Sequence, residues 1–300
     1  MNRARWTSLE EAAASVPDGA SVAPGGFMLG RAPMALVFAL VRAGRKNLHV
    51  LSLPNPLPSE LLVAAGAAAR VDFLFTAITL DGRVRPMPAL KRAVEGGTIA
   101  WGEHDGYRLV QRFRAASMGL PFLPVPDFTC SALAERDPLP QVTDPFTGES
   151  VHVERAFHPD VALVHARAAD EDGNLWIEDP TTDLLVAGAA RRVIATAEER
   201  VARVPRATVP GFMVDLVVEE PCGAWPSGCA GLYPADEAHL ARYLDLADEG
   251  REAEYLDATV RVPRRQAELA RAATPMGGAG GHVGPPRLAS AATDSLRSRA

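Results

Sequence analysis

The chain is 300 residues long, 47% of them hydrophobic, with a formal net charge of −6 and a pI near 5.7. That length fits one large α/β domain or two small ones, and the hydrophobic share is enough for a substantial core. An acidic balance with scattered arginines gives no basic patch for nucleic acid, and no run reaches the roughly 18 apolar residues of a membrane span, so neither partner is expected.

Near the start, Thr7 with Glu10 and Ser8 with Glu11 both fit a helix capping box, so residues 7–16 read as a helix rather than a leader. Ser21-Val22-Ala23 reads as a strand that runs into Pro24-Gly25-Gly26. From Pro33 to Val41 the apolar residues Met34, Val37, Phe38 and Val41 form a helical stripe that begins at proline. A glycine turn between a strand and a helix can leave N–H donors free for an anion or for a carbonyl oxygen under attack. It can equally be a plain structural turn. Further strands are expected over residues 47–53, 71–75 and 98–102, and helices over 59–69 and 88–95. Asp105 caps a helix that Gly119 closes. This alternation with short joints implies an open, mostly parallel, doubly wound α/β sheet.

Residues 124–151 are punctuated by five prolines and read as a long surface loop. The chain resumes with a strand over 160–165 and an acidic turn at Asp170-Glu171-Asp172-Gly173-Asn174. The glycine of that turn is misplaced for a calcium loop and the distal Glu is missing, so a plain turn is expected. A helix over 182–190, strands over 192–196 and 214–218, a small-residue stretch over 222–232 and a helix over 236–246 follow. Past residue 262 the pattern fades into glycine and proline. Residues 1–262 therefore read as the folded unit and 263–300 as a flexible tail.

Three cysteines, Cys130, Cys222 and Cys229, are too few and too odd for a disulfide framework, and they lack the close Cys or His pairs of a zinc site. Packed thiols in a reducing cytosol are expected, with no metal. The chain has no Walker loop, no GxSxG elbow, no HExxH and no dinucleotide fingerprint. Glu103 is the positive candidate. It shares a strand face with Ile99 and Trp101 and emerges at the carboxyl end of the sheet, where open α/β sheets place their ligands. It can also simply complement the start of the next helix. Glu198 and Glu199 admit the same two readings, with the solvated one favoured, and His165 reads as a satisfied core histidine. Ser227 in GAWPSGC has no base near it in sequence, though that stretch could approach a ligand closely.

Taken together, SVAPGGFMLGRAPMALV, GEHDGYRLVQRFRAASMGLPFLP, HPDVALVHARAADEDGNLWI, RRVIATAEERV and VPGFMVDLVVEEPCGAWPSGCAGLYPADEAHL resemble the α subunit of the heteromeric family I CoA-transferases. The likeness is to the α chains of glutaconate CoA-transferase and of the related steroid-ring-cleaving hydrolase, and it runs from about residue 7 to about residue 243. The resemblance implies a NagB/RpiA-like sheet, a homologous β subunit in an α2β2 assembly, a cytoplasmic location, and a coenzyme A thioester as substrate with no permanently bound cofactor. It also implies a glutamate nucleophile on the β subunit, which passes through an acyl-glutamyl anhydride to a glutamyl-CoA thioester. Gly25, Gly26 and Phe27 would contact the oxyanion and the acyl-CoA. Glu103 would be the catalytic carboxylate of this chain, serving in a hydrolase as base for water that opens a cyclic acyl-CoA. His104-Asp105-Gly106 and Pro24 depart from the pattern, leaving transferase, ring-opening hydrolase and non-catalytic scaffold as alternatives.

Overall fold

A computed structural model describes residues 4–126 and 132–273, so Cys130 and residues 274–300 lie outside the described residues. In chain order the elements are β1 (Arg5–Trp6), α1 (Leu9–Ala14), β2 (Ser21–Pro24), α2 (Met34–Arg42), β3 (Leu48–Ser52), α3 (Pro56–Ala64) and β4 (Ala68–Phe73). The hairpin β5 (Ala77–Leu80) and β6 (Arg83–Pro86) precedes α4 (Pro88–Glu95), β7 (Ala100–Glu103) and α5 (Gly106–Ser117). Then come β8 (Phe122–Pro124), α6 (Ala132–Arg136), β9 (Gln141–Thr143) and β10 (Ser150–Arg155). The last part holds β11 (Val161–Asp170), β12 (Leu175–Trp176), α7 (Asp183–Ala189), β13 (Arg192–Val201), β14 (Leu216–Glu219), α8 (Glu237–Asp248), α9 (Glu252–Tyr255) and α10 (Gln266–Ala273).

Eight strands form a parallel sheet in the order β1-β14-β13-β11-β2-β3-β4-β7, with β12 pairing antiparallel to β11. This is the doubly wound arrangement that the alternation predicts. From β2 the chain winds outward through β3, β4 and β7, then returns to lay β11 on the other side of β2 and winds away through β13 and β14. The direction of winding therefore reverses between β2 and β11. In open α/β sheets that reversal opens a crevice at the carboxyl ends of the strands. The two faces bury separate cores. Val22, Val50, Val161 and Ile194 pack beneath α1, α2, α3 and α8 on one side. Ala23, Leu51, Ala162, Val164 and Ala195 pack beneath α5 and α7 on the other. Alternate residues of the central strands are apolar on both faces, as a parallel sheet covered on both sides requires.

Several joints follow the expected chemistry. Ser8 caps α1 by accepting from the Glu11 N–H, and Asp105 caps α5 by accepting from the N–H groups of Tyr107 and Arg108. Glu60, fully buried in α3, accepts from the N–H groups of Ala89 and Leu90 and from the Tyr243 hydroxyl, tying α3 to α4 and α8. The acidic turn is a plain one, in which Asp170 accepts from the N–H groups of Asp172 and Asn174.

Other joints differ from expectation. The helix expected to reach residue 69 ends at Ala64, because Gly66 takes a left-handed conformation (φ +67°) and Ala68 already belongs to β4. The hairpin of β5 and β6 was not expected. The proline-rich stretch is not a bare loop but contributes to a three-stranded antiparallel sheet, β8-β10-β9. The fold also extends past residue 262. The N–H of Gln266 donates to Glu220, and Leu269 of α10 is buried in the core. Among the described residues, no helix is long and apolar enough to cross a membrane.

Candidate functional site

The glycine turn follows β2 directly and so stands at the switch point. Its two amides are not free. The N–H of Gly25 donates to the Leu163 carbonyl of β11 (2.8 Å), and that of Gly26 donates to Asp183 Oδ1 (3.0 Å). The carbonyls are held as well, that of Gly25 by Asn55 Nδ2 (2.6 Å) and that of Gly26 by the Thr182 hydroxyl (2.9 Å). The expected bare donors are therefore spent inside this chain. The glycines answer a different need, which is close approach. A Cβ on Gly25 would lie 2.9 Å from Asp183 Oδ1, and one on Gly26, whose φ is +82°, would lie 2.6 Å from two backbone carbonyl oxygens. Beyond them, Phe27 and Gly30 exchange reciprocal backbone hydrogen bonds of 2.9 and 2.7 Å. That closes a tight loop which presents Phe27 at the surface, 44% exposed.

Beneath this loop sits a buried ion pair with no counterpart among the residues that the sequence marks. Arg31 is 1% exposed, and its Nη1 lies 2.8 Å from Oδ2 of the fully buried Asp183. Its Nε and Nη2 donate to the side chain and carbonyl of Asp179, each at 2.6 Å. Burial alone would pull the Arg31 pKa down, but the two aspartates outweigh it and hold it above its ordinary value. An isolated Arg between apolar positions carries no sequence signal of this role. Only the approach of α7 to the turn creates it.

The small-residue stretch over 222–232 braces the turn from the other side. The Gly228 N–H donates to the Leu29 carbonyl, the Arg31 N–H donates to the Gly228 carbonyl, and the Ala32 N–H donates to the Ser227 hydroxyl oxygen. Ser227 is buried and donates in turn to the Ala224 carbonyl, which makes it a structural hydroxyl.

Behind this stretch lies Glu198, for which the solvated reading is favoured in sequence and whose side chain is instead only 9% exposed. Its Oε1 pairs with His165 Nε2 (2.8 Å) and accepts from the Tyr233 hydroxyl, while Oε2 accepts from the Cys222 N–H (2.7 Å). His165 Nδ1 meets the Thr196 hydroxyl at 2.8 Å, so it is the satisfied core histidine expected. Burial pushes the Glu198 carboxyl up, but His165, Tyr233 and the Cys222 N–H together hold it below the usual range. The donor atoms of His165, Glu198 and Cys229 lie within 4.8 Å of one another, the spacing of a divalent-ion site. His165 and Glu198 already satisfy each other, however, and burial pushes the Cys229 thiol up to about 12. The cluster as it stands is an anchor for the 222–233 segment.

Glu103 does sit at the carboxyl end of its strand, but β7 is the sheet edge. In register it stands level with Phe73, and three strand spacings separate β7 from β2, roughly 14 Å at about 4.8 Å per strand. The structure therefore does not bring Glu103 against Gly25 and Gly26. Glu103 is exposed, and its carboxylate makes no hydrogen bond or ion pair with another of the described residues. Next to it, the ring of the partly buried His104 lies 3.3 Å from Asp72, whose carboxylate also takes His49 Nε2 (2.5 Å) and the Arg70 guanidinium (2.6 Å). Arg136 lies over the Trp101 ring on the same strand.

The pattern that defines the coenzyme A transferase family matches residues 6–220 of the chain. Among curated proteins, the A-type subunit of 3-oxoadipate CoA-transferase from Pseudomonas knackmussii is 30% identical, over 85% of this chain and 94% of that protein. A protein of Archaeoglobus fulgidus is 35% identical over 80% of this chain, which spans only 55% of its length. Among solved structures, a single-residue variant of the decarboxylase AibA/AibB is 68% identical with a TM-score of 0.84, covering 86% of this chain and 98% of that one. Glutaconate coenzyme A-transferase of Acidaminococcus fermentans is 27% identical with a TM-score of 0.82, covering 90% and 92%.

Proposed function

The chain belongs to the coenzyme A transferase family, and from that premise we propose that it is the α subunit of a two-chain enzyme acting on an acyl-CoA whose acyl group carries a carboxylate. The observation that carries this reading is the position of the glycine turn, which lies within the family match and at the switch point of the sheet. The likeness to enzymes named for glutaconate and 3-oxoadipate, both dicarboxylic acids, supports the substrate class. Coenzyme A transfer is the reaction for which the family is named, and in this reading the glutamate nucleophile belongs to the partner chain. A second reading, decarboxylation of the same kind of acyl-CoA, is favoured by the 68% identity to AibA/AibB.

Both reactions put negative charge on the thioester oxygen. In transfer it is the oxyanion formed as a carboxylate adds to the carbonyl. In decarboxylation it is the enolate left when the C–C bond to the departing CO2 gives its electrons to the acyl chain. Donors preorganised toward that oxygen would serve either reaction. Gly26 can be one of them only if its amide leaves Asp183. Phe27, already exposed, is the side chain of the turn that meets the acyl-CoA.

The test is co-expression with the β-type chain, followed by incubation with acyl-CoAs of open-chain dicarboxylic acids and, separately, with a cyclic β-diketone acyl-CoA for the ring-opening outcome, in the presence of acetate. Intact masses of both chains and of the products are then read. A CoA-sized adduct on the partner, with CoA appearing on acetate, establishes transfer. A product lighter by CO2 with no adduct establishes decarboxylation, and a product heavier by water establishes the ring-opening hydrolase. Given the identity gap between 68% and 30%, loss of CO2 is the product to look for first.

Glu103 is kept as a proposed catalytic carboxylate. Glu103→Gln should then lower kcat by about 100-fold or more while leaving assembly unchanged. Undiminished turnover removes Glu103 from the mechanism, and a stable inactive complex removes the scaffold alternative.

A further inference from the structure

We propose that Arg31 and Asp183 are positioning residues for the acyl-CoA turn. In this reading the carboxylate of Asp183 fixes the turn and the guanidinium of Arg31 cancels its charge, so that an anionic substrate can approach. This rests on the reading of the turn as the acyl-CoA contact.

Asp183 makes two kinds of bond at once. Oδ1 accepts from the Gly26 N–H at the entry to the turn, and Oδ2 pairs with the side chain of Arg31 at its exit. The preceding residue, Thr182, donates to the Gly26 carbonyl, so two consecutive residues at the start of α7 grip a single residue of the turn. Gly25 lacks a side chain where one would strike this carboxylate. Stability alone does not account for such a device, because a buried ion pair is often no more stabilising than apolar residues of equal volume. A carboxylate so close under the turn would also repel an acyl-CoA bearing a carboxylate of its own. Arg31, with its own pKa raised by these aspartates, keeps the cationic charge that offsets the buried Asp183, while its second partner, Asp179, is 55% exposed and screened by solvent.

The test is Arg31→Met against Arg31→Lys in the assembled two-chain enzyme. Methionine and lysine fill similar volumes, so a role in packing would not tell them apart, whereas lysine alone keeps the charge. We expect Arg31→Met to raise KM for the acyl-CoA about tenfold or more with a smaller change in kcat, and Arg31→Lys, which keeps the charge but not the fork that also holds Asp179, to raise it by clearly less. The double variant Arg31→Met/Asp183→Asn, which removes both charges and keeps an acceptor for the Gly26 N–H, should recover most of the loss. Hydrogen exchange at the Gly26 amide, slow in the parent, should speed up in Asp183→Ala and remain slow in Asp183→Asn.

An assembled Arg31→Met enzyme with the parent's KM overturns the proposal, as does equal loss in the methionine and lysine variants. Should Arg31→Met fail to assemble, the double variant decides: parent-like KM in it supports the proposal and a raised KM overturns it. Phe27→Ala separates the two levels of inference. If it raises KM while Arg31→Met does not, the charge-cancelling role falls alone. If Phe27→Ala also leaves KM unchanged, the turn is not the acyl-CoA contact and both readings fall.

Discussion

Gly26→Val should disable the glycine turn, destabilising the protein by about 2–6 kcal/mol and removing most activity of the assembled enzyme. Two effects add. Gly26 sits at φ +82°, where a β-branched residue is strained. Its Cβ would also meet the carbonyl oxygens of Gly30 and Arg31 at 2.6 Å, and those belong to the backbone that closes the loop on Phe27, so neither can swing aside. Gly25→Ala should be milder, because the nearest atom to its Cβ is a side-chain oxygen of Asp183 and its φ is not positive. Gly119→Ala is the control. That glycine is also left-handed but faces open space, so only the conformational penalty of about 1 kcal/mol applies. Urea unfolding of the three variants should rank Gly26 well above Gly25 and Gly119. A Gly26→Val protein as stable and active as the parent would show that the turn is not held as described.

Glu198→Ala should destabilise the fold by about 3–5 kcal/mol, since it strips a partner from the buried His165 and from two partly buried groups at once. His165, the Tyr233 hydroxyl and the Cys222 N–H all converge on this carboxylate. Cys222 and Tyr233 bracket the segment that bonds to Leu29, Arg31 and Ala32, so slackening should reach the glycine turn. The pH dependence has a definite sign. The folded carboxyl titrates below the usual range, whereas the unfolded one titrates near about 4.3. The stability this shift contributes is fully present above that unfolded value and is lost as pH falls through the lower folded one. Urea midpoints at about pH 7 and about pH 4 should therefore differ more in the parent than in Glu198→Gln. Equal differences in the two proteins would mean that Glu198 is not the group responsible.

Much of the frame was legible in the residues. Strands of continuous small and branched apolar residues, helices opened by Pro33, Pro88 and Asp105, and joints of glycine or proline follow from local rules. Those rules act over a few residues and survive folding. The hairpin of β5 and β6 escaped because Arg83-Val84-Arg85-Pro86 offers little apolar alternation, and the strand is formed by pairing rather than by burial. The short strands of the proline-rich stretch escaped for the same reason. Each is three to six residues long and finds its partner only in the others.

The candidate site divides in the same way. Gly25 and Gly26 were marked by the turn they make between a strand and a helix, Glu103 by its place at a strand end, and Phe27 only by the family resemblance. What the glycines do was not marked, because a bare amide in sequence and an amide bonded to Asp183 look identical. Asp183 lies 157 residues from Gly26, and Glu198 lies 24 and 35 from the groups it binds in Cys222 and Tyr233. The sequence by itself determined the class of fold, the order of most strands of the main sheet with the helices between them, and the location of the turn, since each depends on near neighbours and on periodicity. Only the tertiary structure decided that the turn is clamped by a buried ion pair, that Glu198 is an anchor rather than a solvated charge, and that Glu103 stands at the far edge of the sheet. Those outcomes depend on which strands become neighbours, and it is the reversal of winding between β2 and β11 that sets them.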